Sequence, residues 1–466
     1  MRIHRTTVCA LLLGSLGLGA PLASCKTGCG ASADPPGATA HEQPPPARTN
    51  TATAAEIDWS APVDVATGPA RAGPWRMNDS VFHYVDDPTV AVHDDGSLAV
   101  AWADNRQQDL YFRAYDANGE ALGDPVNLSK SPDVFSWLPR MEVDGDDVFV
   151  LWQEIVFSGG SHGGEAFFAR STDGGRSFER PTNLSNTTAG CGKGRLTEDR
   201  WDNGSLDLAL GPEGTLLAAW TEYQGPLRVS RSTDGGETFS APLHVGGTGR
   251  RPARGPSLAV ADGGPVHLAW TVGEDDSADI RVATSHDGGQ SFGPPRVPHR
   301  TRGHSDAPKL AVDAEGTLHL VHGESPTGMH GRYRVLHLRL NDEGEALGEA
   351  RVISGPHGER EGAHFPSIAL DGDDRVYVVW EHYPDFAKRP RGLGFTLSTD
   401  RGARFAPPAI VPGTGERLPG PNGSRQGLLS RKLDVSTAGT VGVVNSGFDP
   451  GRASRVRLVR GTNRRR

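Results

Sequence analysis

One octet recurs along this chain, and its spacing restricts the fold more than any other feature. Ser171-Thr172-Asp173-Gly174-Gly175-Arg176-Ser177-Phe178 returns as Ser232-Thr233-Asp234-Gly235-Gly236-Glu237-Thr238-Phe239. It returns again as Ser285-His286-Asp287-Gly288-Gly289-Gln290-Ser291-Phe292 and as Ser398-Thr399-Asp400-Arg401-Gly402-Ala403-Arg404-Phe405. Worn copies end at Leu122 (Asn118-Gly119-Glu120-Ala121-Leu122) and at Leu347 (Asp342-Glu343-Gly344-Glu345-Ala346-Leu347). The closing apolar residues Leu122, Phe178, Phe239, Phe292, Leu347 and Phe405 are separated by 56, 61, 53, 55 and 58 residues. Self-similarity at such a period marks an array of structural units that cannot each bury a core alone.

Each unit carries further recurring pieces. A Pro-x-apolar-x-apolar segment opens it, as at Pro88–Val92, Pro139–Val143, Pro256–Val260, Pro308–Val312 and Pro366–Leu370, and a period of two is that of a strand. An acidic, glycine-bearing turn follows (Asp94-Asp95-Gly96, Asp144-Gly145-Asp146-Asp147, Asp371-Gly372-Asp373-Asp374), which a hairpin explains without a metal. A second strand then runs through Trp102, Trp152, Trp220, Trp270 or Trp380, a third leads into the octet and a fourth leads out. Four antiparallel strands per unit, repeated round a ring, predict an all-β fold, a β-propeller of four-stranded blades. The 61 Gly and 35 Pro among 466 residues fit this reading and disfavour a helical bundle or βαβ enzyme. Ile57-Asp58-Trp59-Ser60-Ala61-Pro62-Val63-Asp64-Val65 matches the fourth strand after Phe239, whereas the C-terminus offers only three strands, near Leu433–Val435, Thr440–Val444 and Val456–Val459. Pairing the two termini in one blade gives seven blades rather than six and hides the open sheet edges.

The octet resembles the Asp box, or BNR repeat, of the sialidase-like propellers. The resemblance covers roughly residues 57–460 and implies a structural role for Asp173, Asp234, Asp287 and Asp400, whose carboxylates would accept turn N–H groups while the aromatic is buried beneath the hairpin. It implies a glycan-related function, but sialidases of this superfamily have six blades and an early Arg-Ile-Pro element. Here the first unit reads Asp86-Asp87-Pro88, and Arg254-Gly255-Pro256 in the fourth is the one Arg-x-Pro at that position.

The N-terminal residues read as a targeting segment. Arg2, His4 and Arg5 precede an apolar run Val8–Ala20 and then Leu22-Ala23-Ser24-Cys25, the order of a signal peptide. Small residues directly before Cys25 resemble the bacterial lipoprotein signal, which implies acylation of Cys25; Lys26 in place of Asp favours the outer membrane in that pattern. The expected organisation is a signal at 1–25, a disordered Pro/Ala/Thr-rich tether at 26–55 and a single propeller at 56–466. The expected localisation is the cell envelope through the lipid anchor only, the alternative being secreted or periplasmic. Cys29 and Cys191 are then the remaining thiols, able to pair in an oxidising compartment. A net charge of −9 without a basic groove excludes nucleic acid as a principal partner. No metal or cofactor is expected, nor any phosphate loop, and the chain is expected to be a monomer.

In a four-stranded blade the loops before the first strand and after the second lie at one end of the ring, and the octets at the other. A propeller binds at a central concavity, so the first set holds the candidate site. Asp104, Glu154, Glu222, Glu274, Glu324 and Glu381 follow the second strands, accompanied by Tyr223, His382 and Tyr383. Asp86, Trp137, Arg254, Asp306 and His364 stand two residues ahead of each Pro, with Arg140 just after one; Arg250, Arg251, Arg300, Arg302, His304 and Arg360 share these loops. Such acids either pair with arginines and hold blades in register, or line a polar pocket for an anionic or sugar ligand, since guanidinium forks match carboxylates. The expected function is a surface-anchored propeller that binds a glycan or another envelope or extracellular ligand at the channel mouth. The alternative is an exo-sialidase-like hydrolase, which requires three guanidinium groups converging at that mouth together with an acid and a nucleophile.

Overall fold

The computed structural model describes residues 57–464 apart from 75, 77, 156, 159–160, 163, 186–204, 223–224, 274, 302, 356–357 and 416–430. The signal segment, Cys25, the tether, Cys29, Cys191 and the polar insertion before Trp201 lie outside the described residues, as do Tyr223, Glu274 and Arg302. Seven innermost strands, Val85–Val92, Ser136–Asp144, Leu206–Leu210, Ala253–Val260, His304–Val312, Gly362–Leu370 and Leu433–Val435, each open an antiparallel sheet. We number these sheets blades 1 to 7. Blade 2 is typical: Ser136–Asp144 pairs with Asp147–Glu154, that with Glu165–Ser171, and that with the short outer strand Thr182–Asn183. In blade 7 the order Leu433–Val435, Thr440–Asp449, Ala453–Asn463 is completed by Ile57–Trp59 and Val63–Gly68, both paired to Ala453–Asn463. Blade 4 departs from the four-strand expectation. Its outer strand is reduced to one bridge, Val282 with Arg296, because Pro294, Pro295 and Pro298 remove ladder donors there.

The blade count has an energetic counterpart in the core. Among the described residues seven large apolar clusters each join two neighbouring blades. Trp152 and Val150 pack toward blade 1, whereas Leu151 and Phe149 of the same strand pack toward blade 3. A strand buried on both faces needs apolar residues at successive positions, which is why the second strands read as near-continuous hydrophobic runs ending in Trp. The ring closes through Val444, Val456 and Leu458 of blade 7 against Val100 and Trp102 of blade 1.

The prolines mark a repeated kink. The residue before each is left-handed: Asp87 (φ 51°), Leu138 (φ 59°), Gly255 (φ 55°), Ala307 (φ 58°) and Phe365 (φ 53°). The pairing register to the second strand shifts across this position in all five blades. Such bulges bend a strand and re-aim its side chains, here at the channel mouth. Non-glycine residues hold this conformation at a cost, so four of the five bulges are strained. Gly255→Ala is therefore expected to lose about 1 kcal/mol; an unchanged urea midpoint would remove the strain argument.

The octets close the far end. Asp173 Oδ1 accepts the Ser177 N–H at 2.9 Å and the Ser171 hydroxyl at 2.7 Å, while Oδ2 accepts the Ser177 hydroxyl at 2.6 Å. Asp234 and Asp287 repeat the pattern, and Asp400 accepts from Arg404 N at 2.7 Å. The second glycine of the octet lets the preceding blade approach: a Cβ on Gly175 would lie 2.0 Å from Phe112, and one on Gly236 2.7 Å from Phe168. The worn copies behave differently from the octets. Leu122 and Leu347 are 65% and 55% exposed rather than buried. Their shorter turns close early, through Leu122 N–H to Ala114 O and Leu347 N–H to Arg339 O, so no hairpin covers the side chain.

Hydroxyl donors Ser177, Thr238 and Ser291 hold Asp173, Asp234 and Asp287 at about 2, below the ordinary 3.8. A depressed carboxyl stabilises the fold above its unfolded value and loses that contribution as pH falls through the folded one. Stability is expected to drop between pH 4 and 2, and the drop should be shallower in Asp173→Ala/Asp234→Ala/Asp287→Ala; parallel denaturation profiles for the two chains would contradict it.

Candidate functional site

The acids that follow the second strands are mostly engaged close to home. Glu154 accepts from Trp152 Nε1 at 3.0 Å and from the Ser131 hydroxyl, and its burial raises its pKa. Glu222 meets Arg228 at 3.1 Å and Glu324 meets Arg334 at 2.7 Å, each within its own blade. Asp104 accepts turn N–H groups from Arg106 and Gln107. Glu381 reaches the next blade, where the Lys432 ammonium contacts it, and Asp86 and Asp87 act on the same ammonium. Tyr383 is buried on Phe386 at 4.7 Å between centroids, and Tyr84 is buried edge-on against Phe448.

Four of the expected residues do come together. Arg254 of blade 4 lies 3.6 Å from Asp306 of blade 5, which also accepts the Thr271 hydroxyl at 2.9 Å. His304 and His364 act on the same carboxylate; burial would raise its pKa, and Arg254 with the two imidazoles turns the balance downward. His364 lies flat on the Tyr333 ring, 3.8 Å between centroids and 13° between planes. Tyr333 OH lies 2.6 Å from His304 Nδ1. This packing needs Gly323, since a Cβ there would fall 2.2 Å from His364 Nδ1. Burial pushes the His364 imidazole down to about 3, against the pull of Asp306, so it is neutral at physiological pH. Five buried polar atoms of this cluster have no hydrogen-bond partner: Arg254 Nε and Nη2, His304 Nε2, Ser325 Oγ and His364 Nδ1. Beside it at the rim, exposed Arg251 and Arg300 act on half-buried Arg281, which lies 3.8 Å from Asp279.

Apart from Arg140, which was expected at the mouth and lies buried here instead, the channel below the mouth carries residues that the motif positions alone did not single out. Aligned across the blades, the residue after each Pro position is Thr89, Arg140, Asp207, Ser257, Lys309, Ser367 and Lys432. Several of these side chains stitch blades together. Leu258 N–H donates to Asp207 Oδ2 (2.8 Å), Leu310 N–H to Ser257 Oγ (3.0 Å) and Lys432 N–H to Ser367 Oγ (3.2 Å). Arg140 is fully buried with its Nε 3.4 Å from Asp207 Oδ1, and Arg431 bonds Glu142 and lies 3.6 Å from the same Asp207 oxygen. The signal for these residues was the x of the Pro-x-apolar-x-apolar segment, whose period of two sets it on its own side of the strand. Tyr333, at the start of a third strand, had no repeated motif to mark it.

The guanidinium groups are thus dispersed. Of the described arginines only Arg254 acts on Asp306 at the mouth; Arg140 and Arg431 sit in the channel on Asp207, and Arg251, Arg281 and Arg300 gather near Asp279.

No protein-family model and no curated protein matches the chain. Among solved structures it is similar to an ulvan lyase, a polysaccharide lyase, at 14% identity and TM-score 0.49, covering 72% of this chain and 86% of that one. It is also similar to an α-L-arabinanase of Penicillium chrysogenum, at 15% identity and TM-score 0.47, covering 69% and 92%. A NanB sialidase of Streptococcus pneumoniae matches at 12% identity and TM-score 0.44, covering 71% and 68%.

Proposed function

We propose that the chain is an exported, lipid-anchored recognition propeller that takes an anionic glycan, or another acidic envelope ligand, at the mouth formed by blades 4, 5 and 6. The observation that carries this reading is Arg254. Its side chain is about a quarter exposed, while its Nη2 lies 3.6 Å from Asp306 and its Nε is buried without a hydrogen bond. The exposed part of this side chain leaves a cation at the mouth for a carboxylate or sulfate. The ring stack of Tyr333 and His364 gives it a rigid floor, and Arg251 and Arg300 add positive field at the rim. The glycan class rests on the resemblance of the octets, and the anchor on the residues before Cys25. Binding is favoured over hydrolysis because Glu154, Glu222, Glu324 and Glu381 are each committed to a donor or cation, and because Tyr383 and Tyr84 are packed in the core.

The test is an array of sialylated, uronic-acid and sulfated oligosaccharides probed with the purified chain. Saturable binding is expected, weakened about 10–100-fold in Arg254→Ala, as for loss of a charged hydrogen-bond pair. Turnover of a fluorogenic sialoside that disappears in Arg254→Ala would replace this reading with the hydrolase. A flat array would end it.

A further inference from the structure

The channel contains a cation without a counter-ion in contact. Lys309 is 7% exposed, and among the described residues its ammonium has neither a hydrogen bond nor an ion pair, Asp207 acting on it without contact. The other channel cations differ: Arg140 has Asp207, Arg431 has Glu142 and Asp207, and Lys432 has Glu381. Lys309 lines a cavity of about 210 Å³ together with Ser257, Ser367 and Arg431. Ser257 accepts the N–H of Leu310 and keeps its own proton free to donate, and Arg140 Nη2 is buried without an acceptor. The next layer of the lining holds Ala209, Ala259, Ala311 and Ala369 together with the carboxyl groups of Glu142 and Asp434.

We propose that the Lys309 layer binds one small oxyanion, phosphate or sulfate in size, with the Lys309 ammonium as its ionic partner and the Ser257 hydroxyl as a donor, in a field shared with Arg140 and Arg431. The proposal does not rest on the mouth reading. A buried charge is stable only when paired, and an anion supplies what Lys309 lacks. The carboxylates that face the cavity limit the guest to one small anion. Asp207 is shared between two arginines, Glu142 bonds Arg431, and Asp434 accepts the N–H of Val92 at 2.7 Å. Burial pushes the Lys309 amine down to about 7, with Asp207 opposing and Arg140 and Arg431 adding to the fall. A bound anion favours the charged amine, and also the neutral carboxyls of Glu142 and Asp434, which burial pushes up to about 7 and about 6, so binding near pH 7 takes up protons.

The experiment is calorimetric titration of the purified chain with inorganic phosphate, and with inorganic sulfate, at constant ionic strength, at pH 7, in two buffers of different ionisation enthalpy. Saturable one-to-one binding is expected, with net proton uptake when sulfate, which does not titrate near pH 7 as phosphate does, is the titrant. Lys309→Met should weaken it at least about tenfold and reduce the uptake, while its melting temperature without phosphate should rise, since an unpaired buried charge is gone. That rise shows the variant is folded. A sulfated monosaccharide that binds with the same Lys309 dependence, where free phosphate does not, would assign the layer to the anionic group of a larger ligand. Failure of all these probes, or equal binding by Lys309→Met, would overturn the proposal.

Discussion

Asp207→Ala is expected to destabilise the propeller by about 3–5 kcal/mol, the range for breaking a buried ion pair from one side. The residue is 2% exposed and serves three neighbours at once. Its Oδ2 takes the Leu258 N–H of the next blade, and its Oδ1 lies 3.4 Å from Arg140 and 3.6 Å from Arg431. Alanine would leave Arg140, itself 1% exposed, beside no carboxylate but the more distant Asp87. The cost is larger than the loss of one hydrogen bond because the stranded guanidinium cannot reach water. Asp207→Asn separates the terms: it keeps an acceptor for Leu258 and removes only the charge. Arg404→Ala is the reference, since its pair with Asp400 is 84% exposed on the arginine side and such pairs contribute under about 1 kcal/mol. Urea midpoints of the three variants decide the matter. A loss near that of Arg404→Ala would mean that the channel ions are solvated and do not hold the blades.

The parts of this fold that repeat were legible, and the parts that are made once were not. Octets and tryptophans recur because every blade must solve the same local problem, a hairpin clipped to its neighbour and a strand buried on both faces. The partners in the channel have no period. Arg431 bonds Glu142 from 289 residues away, and the layer position holds Thr89, Arg140, Asp207 or Lys309 according to the blade, so a comparison of units locates the position but not its partners. The acids after the second strands misled in the opposite sense. Their recurrence suggested convergence on one ligand, yet Glu222 and Glu324 recur because each blade offers a local arginine, Arg228 or Arg334. Arg254, Asp306 and His364 were visible as a set because the bulge before each Pro aims that position at the mouth. Leu122 and Leu347 show the limit of pattern matching: the same apolar letter is exposed where the turn is one step shorter.

Removing residues up to Pro69, so that the chain begins at Ala70, is expected to abolish the cooperative transition at the native midpoint and to promote self-association. Ile57 and Val65 are 3% and 4% exposed, and fully burying such side chains is worth about 1.5–3 kcal/mol each. Trp59 adds an edge-on contact to Phe395 of blade 6 at 5.3 Å, so the lost strand also ties two blades together. The larger effect is topological. Without Ile57–Trp59 and Val63–Gly68, the strand Ala453–Asn463 has one unpaired edge eleven residues long, with no proline to blunt it. Long open edges pair with other chains. A ring also differs from a linear array, because loosening one blade frees both of its interfaces, here the cluster with Tyr377 and Val379 and the cluster with Val100 and Trp102. The expected outcome is a broadened unfolding transition at lower urea and a concentration-dependent increase in size by light scattering. A peptide of residues 56–69 added in trans should restore both, since the empty edge is its template. A truncated chain that stays monomeric and unfolds at the native midpoint would show that blade 7 is closed by its three C-terminal strands alone.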